Sequence, residues 1–317
     1  IVGTVDRLMG MCDELQARTV AERPARDRIS RAVFTALSES SSCLDLDAAL
    51  VRLRSAVGNV LDGSSGVDSA RQAILDLAVQ GRLVRQDGRD TPAEVTLARI
   101  AEKRDALVPS PREGPFRLPP GWSWARLDDL GHFGRGRSKH RPRNDPRLFQ
   151  DGKYPLVQTG DVARANGFVT THTGLYGEFG LAQSKLWPSG TLCITIAANI
   201  ADSAILGFEA CFPDSVVGLV ADPEIGDARF FDYFIRTAQR RLEEFAPSTA
   251  QKNINLEVLS SLWVPVPPVE EMKRIVQTAE QLLRMCDRLQ EQLLDRERCA
   301  SRYAKAISVS LMEDVGA

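Results

Sequence analysis

The first sixteen residues of the chain recur near its C-terminal end. Residues 1–16 (IVGTVDRLMGMCDELQ) align without gaps on residues 275–290 (IVQTAEQLLRMCDRLQ), and nine of the sixteen positions are identical. An internal repeat constrains the architecture ahead of any local motif, because it identifies a structural unit that the chain uses twice.

Apolar residues in both copies recur at a four-three-four-three spacing, which predicts an amphipathic helix. In the first copy they are Ile1, Val5, Leu8, Cys12 and Leu15. In the second copy they are Ile275, Ala279, Leu282, Cys286 and Leu289. The stripe resumes at Ile29, Val33 and Leu37, and in the same register at Tyr303, Ile307 and Leu311. Each copy therefore predicts a helix of about 37 residues, or about 55 Å.

Pro24 lies near the middle of the first copy, where the second copy has Arg298. A proline removes a backbone donor and clashes with the preceding turn, so we expect a kink or break there. The apolar stripe of a charged helix is stable only when another element packs on it, and the other repeat copy is a natural partner. The two helices could instead lie separately on a globular core, and the stripe does not reveal whether a pair would be parallel or antiparallel.

The composition of the region between the repeats changes near residue 109. Residues 41–112 read as a linker followed by a helical connector, in which Thr91, Pro92 and Glu94 mark a helix start. After a proline-rich boundary, residues 113–266 contain short β-type runs separated by Gly, Asn, Asp and Pro, together with one clear helix at 228–245. The sequence therefore predicts an α+β protein: a long helix at 1–40, the connector, a mixed and mainly β domain at 113–266, and a second long helix at 267–317.

The charge balance excludes a uniformly basic protein that coats nucleic acid. Forty basic and 42 acidic side chains leave a formal net charge of −2, so partners must be sought region by region. Six cysteines without a CxxC pair suggest reduced thiols and a cytoplasmic protein. No apolar run reaches the roughly 18 to 20 residues that a membrane helix needs.

One segment, residues 135–147, is strongly basic. Its cations are Arg135, Arg137, Lys139, Arg141, Arg143 and Arg147, and Ser138 and His140 lie among them. Asp145 is its single acidic residue. Two glycines and two prolines keep the segment out of regular helix, so it predicts an exposed loop. Guanidinium groups neutralise phosphates and can hold O6 and N7 of guanine, although a merely solvated charged loop is the alternative.

A second candidate set is rich in amides. Its members are Gln158, Thr159 and Asp161 after a predicted strand, Asn199 after another, and Gln251, Lys252 and Asn253 before the final helix. Amide side chains can bond adenine through N6 and N7, and strand ends can aim them into a groove. Each also has a structural explanation, since Thr-Gly-Asp at 159–161 is a good turn and Asn199 suits a left-handed position.

Enzyme signatures are weak. The three histidines, His132, His140 and His172, fall in loop-like sequence without the spacing of a metal site. Phe-Gly-Arg-Gly-Arg-Ser at 133–138 lacks the third glycine and the βα pattern of a dinucleotide site. P-loop, nucleophile-elbow and kinase motifs are missing from the sequence. We therefore predict a binding protein without a cofactor or metal.

Four segments together resemble the specificity subunit of type I restriction-modification systems. They are LPPGWSWARLDDLG at 118–131, GRGRSKHRPRN with YPLVQTGDV at 134–162, TLCITIAANIADSAILGFEACFPDSVVG at 191–218, and TAQKNINLEVLSSLWVPVPPVEEMKRIV at 249–276. The connector at 72–100 is also similar to the helical stretch that precedes a target-recognition domain in that family. The resemblance covers nearly the whole chain.

The resemblance implies a non-catalytic subunit in the cytoplasm that recognises double-stranded DNA. In that family two target-recognition domains each read half of a bipartite site, and two long helices packed as an antiparallel coiled coil hold them apart. Methyltransferase subunits dock on this scaffold, and restriction subunits join the complex. The basic loop at 135–143 matches a family segment expected to face DNA, whereas Thr-Gly-Asp and AQKNIN recur so broadly that they imply a structural role.

The chain departs from the family pattern because it contains one recognition domain instead of two. We expect either the C-terminal part of a longer subunit or a half-subunit that associates with another copy. Two other hypotheses stay open: a coiled-coil scaffold whose β domain binds protein, and a self-sufficient methyltransferase or nuclease.

Overall fold

The computed structural model describes residues 2–39, 51, 64–104, 117–197, 201–244 and 256–316. The chain divides into two compact units. Residues 1–74 and 280–317 form one, here the helical unit, and residues 75–279 form the other, here the β unit.

Long helices dominate the helical unit. Helix α1 spans Val2–Glu39 and α8 spans Val269–Gly316, so both repeat copies are helical as predicted. The predicted break at Pro24 is wrong, because α1 continues through that residue. One proline removes a single backbone hydrogen bond, and a helix of 38 residues has many others on both sides of it.

The buried face of α1 differs from the predicted stripe near its C-terminal end. Ser30, Phe34 and Leu37 are buried, whereas Ile29 is 46% exposed. The buried positions still follow the four-three spacing of a helix face, displaced by one residue from Ile29.

Helix α2, Ser64–Val79, packs against the second repeat copy. Val67, Ala70 and Ile74 of α2 contact Cys286, Leu289 and Leu293 of α8. An ion pair joins Arg71 to Asp287, with 2.6 Å between Nη2 and Oδ1. Ser65 of α2 also donates a hydrogen bond to the carboxylate of Asp27 in α1. The apolar stripe of α8 is therefore covered by α2 in this segment, and the antiparallel pairing of the two long helices stays a prediction.

The β unit begins with α3, Ala93–Arg104. It then forms a two-stranded sheet in which β1, Ser123–Arg126, pairs antiparallel with β11, Trp263–Val266. The predicted β domain ends at residue 266, and Pro267 and Pro268 separate β11 from α8. Pro265 is compatible with a strand here because a two-stranded sheet leaves one edge of β11 free of ladder hydrogen bonds.

A five-stranded sheet follows, in the order β2-β10-β7-β8-β4. The strands are β2 Gly131–Arg135, β4 Phe168–Val169, β7 Leu192–Thr195, β8 Ser203–Leu206 and β10 Val216–Ala221. All neighbours are antiparallel except β4 and β8. Helix α6, Ala228–Glu244, packs on β7 and β8. It buries Phe231, Phe234, Ile235 and Ala238, whose three-one-three spacing in the sequence predicts one face of a helix.

A four-stranded sheet has the order β5-β3-β9-β6. Its strands are β3 Tyr154–Leu156, β5 Gly174–Tyr176, β6 Leu186–Trp187 and β9 Ala210–Cys211. Short helices are α4 Thr159–Arg164, α5 Glu178–Ala182 and α7 Leu256–Ser260, and 3-10 turns lie at Leu127–Leu130 and Pro146–Leu148. The predicted class, a mixed α+β protein with a mainly β domain and long helices, is confirmed. Within the described ranges, no helix is long and apolar enough to cross a membrane.

Candidate nucleic-acid interface

The basic segment 135–147, called here the basic loop, begins where β2 ends. Gly134 of β2 faces Gly218 of β10. A Cβ at Gly218 would lie 2.8 Å from atoms of both Trp187 and Phe212. Gly218 therefore leaves room for a fully buried indole, and Trp187 stacks on Phe212 with 4.9 Å between ring centroids.

Backbone hydrogen bonds then fix the start of the basic loop. The Gly136 amide donates to Val216 O at 2.8 Å, and the Arg137 amide donates to Phe212 O at 3.0 Å. A Cβ at Gly136 would lie 2.3 Å from the carbonyl oxygens of Phe212 and Pro213, so this position requires glycine. The Lys139 amide donates to Gln183 O at 3.1 Å. This half of the basic loop is thus held against two neighbouring segments by its own backbone.

Two arginines of the basic loop bond to carbonyl oxygens. Arg137 Nε donates to Ser184 O at 2.8 Å, and its Nη2 donates to the same oxygen. Arg141 Nη1 donates to the carbonyls of Ser138 at 2.6 Å and His140 at 2.8 Å. These bonds order the side chains without neutralising their charge, since a carbonyl oxygen carries no formal charge.

Asp145 organises the far end of the basic loop. Its carboxylate accepts from the Arg147 amide at 3.0 Å, lies 2.7 Å from Arg147 Nη2 and lies 2.7 Å from His140 Nε2. The Arg147 hydrogen bonds hold the pKa of Asp145 well below its usual range, and the pKa of Arg147 is raised in turn. The ring of Phe179 contacts both His140 and Arg147, with centroid distances of 5.2 and 5.4 Å. His140 and Arg147 therefore stabilise the loop itself.

Carboxylate pairing divides the six cations into two groups. Arg147 pairs with Asp145, and Arg143 pairs with the exposed carboxylate of Asp214 at 2.8 Å. The other four cations have no carboxylate partner among the described residues. They are Arg135, Arg137, Lys139 and Arg141, called here the basic surface. All four are exposed, so the basic surface presents positive charge to solvent.

The amide-rich set is only partly described. Gln158 is exposed and precedes α4, and Thr159 is the first residue of that helix. The buried carboxylate of Asp161 accepts from the Gln158 amide at 2.8 Å, from Thr173 Oγ1 and from Arg164 Nη2. Thr-Gly-Asp therefore begins and caps a helix. Asn199, Gln251, Lys252 and Asn253 lie outside the described residues.

Lys185 and His132 adjoin the basic surface, and sequence reasoning did not include them in the site. Lys185 Nζ lies 2.5 Å from His132 Nε2 and 3.7 Å from the centroid of the Trp187 ring. The interpretation of His132 as a loop residue is wrong, because it lies in β2. The signal for Lys185 was its place two residues before Trp187, directly ahead of the short strand β6, where extended backbone would put both side chains on one face.

In the described part of the chain, no group of three His, Cys, Asp or Glu side chains could hold a metal ion. The described site consists of guanidinium and ammonium groups on a fixed backbone. Such an arrangement binds anions, and phosphate esters match the fork of arginine.

Comparison with protein families gives one match. Residues 119–296 match the family described as the type I restriction modification DNA specificity domain. The matched range is more than half of the chain and includes the whole basic loop.

Two curated relatives come from Escherichia coli. The chain is 22% identical over 335 aligned positions to the EcoEI type I restriction enzyme specificity subunit, covering 97% of this chain and 56% of that protein. It is 32% identical over 143 positions to the EcoAI specificity subunit, covering 41% of this chain and 24% of that protein. The chain thus matches little more than half the length of the EcoEI subunit and about a quarter of the length of the EcoAI subunit.

Two solved structures are also similar. One is the HsdS subunit from Thermoanaerobacter tengcongensis, with 18% identity, a TM-score of 0.47, and coverage of 89% of this chain and 66% of that one. The other comes from a study of complex assembly and conformational transition of the type I R-M system, with 19% identity, a TM-score of 0.49, and coverage of 81% and 58%.

Proposed function

The chain belongs to the type I restriction modification DNA specificity family, and from that premise we propose that its β unit recognises a specific sequence in double-stranded DNA. The observation that carries the proposal is the basic surface. Four cations without carboxylate partners among the described residues project from a loop whose backbone is bonded to two neighbouring segments.

The charge distribution supports DNA over a general affinity for anions. The whole chain carries a formal charge of −2, so it has no uniform attraction for nucleic acid. A local basic surface on an otherwise balanced protein fixes register on the phosphate backbone and leaves base edges to supply specificity. Arg135 and Lys139 make no other described ion pair, so both are available to phosphate oxygens or to guanine O6 and N7.

We further propose that this recognition unit reads one half of a bipartite site. The repeated helices α1 and α8 would act as the scaffold on which methyltransferase subunits dock, with restriction subunits joining through the complex. The support is the repeat itself and the family, in which a specificity subunit directs partners that carry the chemistry. On this proposal the chain is non-catalytic and works in the cytoplasm, where the buried free thiols of Cys193 and Cys211 would stay reduced.

A salt titration of DNA binding tests the proposal. The purified chain is bound to labelled duplex DNA at several salt concentrations, alone and with methyltransferase subunits added. The observed association constant should fall steeply with salt, by about 0.9 log units per log unit of salt for each phosphate neutralised. The double variant Arg135→Ala/Lys139→Ala should bind more weakly and with a shallower slope.

The control variant Arg89→Ala/Lys273→Ala removes the same charge from two exposed cations outside the basic loop. Arg137 is left intact because its bonds to Ser184 O make its removal a structural change. Equal affinities and slopes for the wild type and the Arg135→Ala/Lys139→Ala variant would refute the assigned surface. Tight capture of a protein by the β unit, without salt-dependent DNA binding, would favour the alternative of a coiled-coil protein-interaction scaffold.

A further inference from the structure

Lys185 occupies an unusual position at the edge of the basic surface. Its ammonium group lies 3.7 Å from the centroid of the Trp187 ring, whose other contacts include stacking on His132 and on Phe212. An ammonium over an indole is attracted by the negative face of the ring. The group is therefore held in one place instead of moving freely in solvent.

His132 fixes the ammonium from a second direction. Its ring stacks on Trp187 with 5.5 Å between centroids, and its Nε2 lies 2.5 Å from Lys185 Nζ. Burial first, and then the charges of Lys185 and Arg104, lower the pKa of His132. The lowered pKa favours the neutral imidazole, and a neutral ring whose Nε2 carries no proton is an acceptor for the ammonium. Two of the three ammonium N–H groups remain for another acceptor.

Two arginines lie close to this pair. Arg137 bonds to the carbonyl of Ser184, the residue before Lys185, and burial, together with the charge of Arg137, lowers the pKa of Lys185. Arg104 donates to the carbonyl of Gly131, the residue before His132. Burial raises the pKa of the Asp129 carboxyl, and the charge of Arg104 opposes this effect. The same carboxyl accepts a hydrogen bond from the Arg126 amide at 3.2 Å.

Neither Lys185 nor Arg137 has a carboxylate partner in the described part of the chain. Two cations are thus brought together beside a buried aromatic ring, which raises the electrostatic energy of the unliganded protein. A bound anion would reverse that repulsion, because it interacts favourably with both charges at once.

We propose that Lys185 and Arg137 form a phosphate-binding site at the edge of the basic surface, with His132 as the positioning residue that orients the ammonium. The ligand class is a phosphodiester oxygen, since two ammonium N–H groups and a planar guanidinium offer donors to a tetrahedral anion. This inference rests on the proposed DNA-recognition function and adds one phosphate contact from outside the basic loop.

The variant Lys185→Met tests the site in the full chain. Methionine keeps an apolar stem over Trp187 and removes the charge. Loss of one phosphate contact should make the slope of the log association constant against log salt shallower by about 0.9. With equal binding by the two proteins at an extrapolated 1 M salt, the variant should bind DNA about eightfold more weakly than the wild type at 0.1 M salt. Lys273→Met, on the exposed face of α8, is the charge-matched control and should leave both values unchanged.

Positioning by His132 has its own readout. His132→Phe keeps an aromatic ring on Trp187 and removes the acceptor. Its DNA affinity should fall several-fold while its salt slope stays close to that of the wild type, because the charge of Lys185 is retained. Urea unfolding of each variant establishes that a change in binding is not a loss of folding.

A DNA-independent measurement separates the two proposals. Inorganic pyrophosphate is titrated into the wild type and Lys185→Met, and the imidazole resonances of His132, assigned with His132→Phe, are followed. Shifts in the wild type that are lost in Lys185→Met support the anion site even if DNA binding fails. An unchanged salt slope in Lys185→Met, or pyrophosphate shifts that persist in it, overturns the site while leaving DNA recognition by the basic surface intact.

Discussion

Gly134 of β2 faces Gly218 of β10, and the ring of Trp187 lies against this pair of glycines. A Cβ at Gly218 would lie 2.8 Å from the indole, whereas one at Gly134 would lie 3.9 Å from it, an ordinary contact distance. Gly218 is therefore the position that makes room for the ring. The consequence reaches the basic loop, because Arg135 and Gly136 follow directly from this part of β2.

Replacement of Gly218 by alanine should therefore destabilise the β unit. The added Cβ would lie 2.8 Å from Trp187 and from Phe212 in a fully buried cluster. Overpacking of this kind costs about 1 to 3 kcal/mol. Urea denaturation measures the loss, with Gly174→Ala as the control, since a Cβ at Gly174 meets nothing within 4 Å. Equal stability of the two variants would contradict the packing described for Trp187.

Arg137 and Arg135 should differ in their effect on stability. Arg137→Ala removes two hydrogen bonds to the Ser184 carbonyl, at a cost of about 1 to 2 kcal/mol. Arg135→Ala removes an exposed side chain and should change the free energy of unfolding by less than about 0.5 kcal/mol. Thermal or urea unfolding of the two single variants decides this, and the opposite ranking would show that Arg137 does not anchor the loop.

Asp161 should be a structural residue and not a base-reading one. Asp161→Ala leaves the Gln158 amide and Thr173 Oγ1 without their acceptor and removes the partner of Arg164. We expect a loss of about 2 to 4 kcal/mol in the free energy of unfolding. Asp214→Ala, which breaks an exposed ion pair with Arg143, is the control and should cost less than about 1 kcal/mol. A stable Asp161→Ala variant with altered sequence preference would reverse this assignment.

Asp232 should make stability depend on pH. It is fully buried on α6, accepts from Ser203 Oγ at 2.7 Å and pairs with Arg236 at 3.0 Å. Burial raises its pKa from 3.8 to about 6, against the opposing effects of Arg236 and Ser203. The folded state then holds the proton more tightly than the unfolded state, so the contribution is fully present below pH 4 and is lost as the pH rises through 6.

The Asp232→Asn variant isolates this effect because it cannot titrate. Urea unfolding from pH 4 to 7.5 should show the stability of the variant rising relative to the wild type by at most about 3 kcal/mol, with no further change above pH 7. A stability difference that is constant across this range would show that the Asp232 pKa is not raised by folding.

Periodicity predicted much of the fold. The repeat predicted two long helices, and the apolar spacing at 228–245 predicted the face of α6 that packs on β7 and β8. The short β-type runs of 113–266 predicted strands, because they alternate with turn residues. Proline was a poor guide to helix ends, because α1 continues through Pro24.

The position of the basic loop was predictable from the sequence, and its role in binding DNA stays a prediction. The run of cations located the basic loop, since charge density is a property of the sequence alone. Pairing was not predictable, because Asp214 reaches Arg143 from another part of the chain and Ser184 O reaches Arg137 across 47 residues. The same holds for Lys185, whose significance depends on His132 and Trp187 meeting it on a folded sheet.

Selection from a randomised duplex library tests sequence recognition most directly. The full chain, with methyltransferase subunits present, is used to enrich duplexes at moderate salt, and the enriched pool is sequenced. Sequence-specific recognition by the basic surface predicts that the enriched duplexes share a motif of a few base pairs that this chain reads. Enrichment should be lost with Arg135→Ala/Lys139→Ala but not with Arg89→Ala/Lys273→Ala. A pool that stays random while binding remains salt-dependent would contradict sequence-specific recognition and leave the chain a non-specific DNA binder.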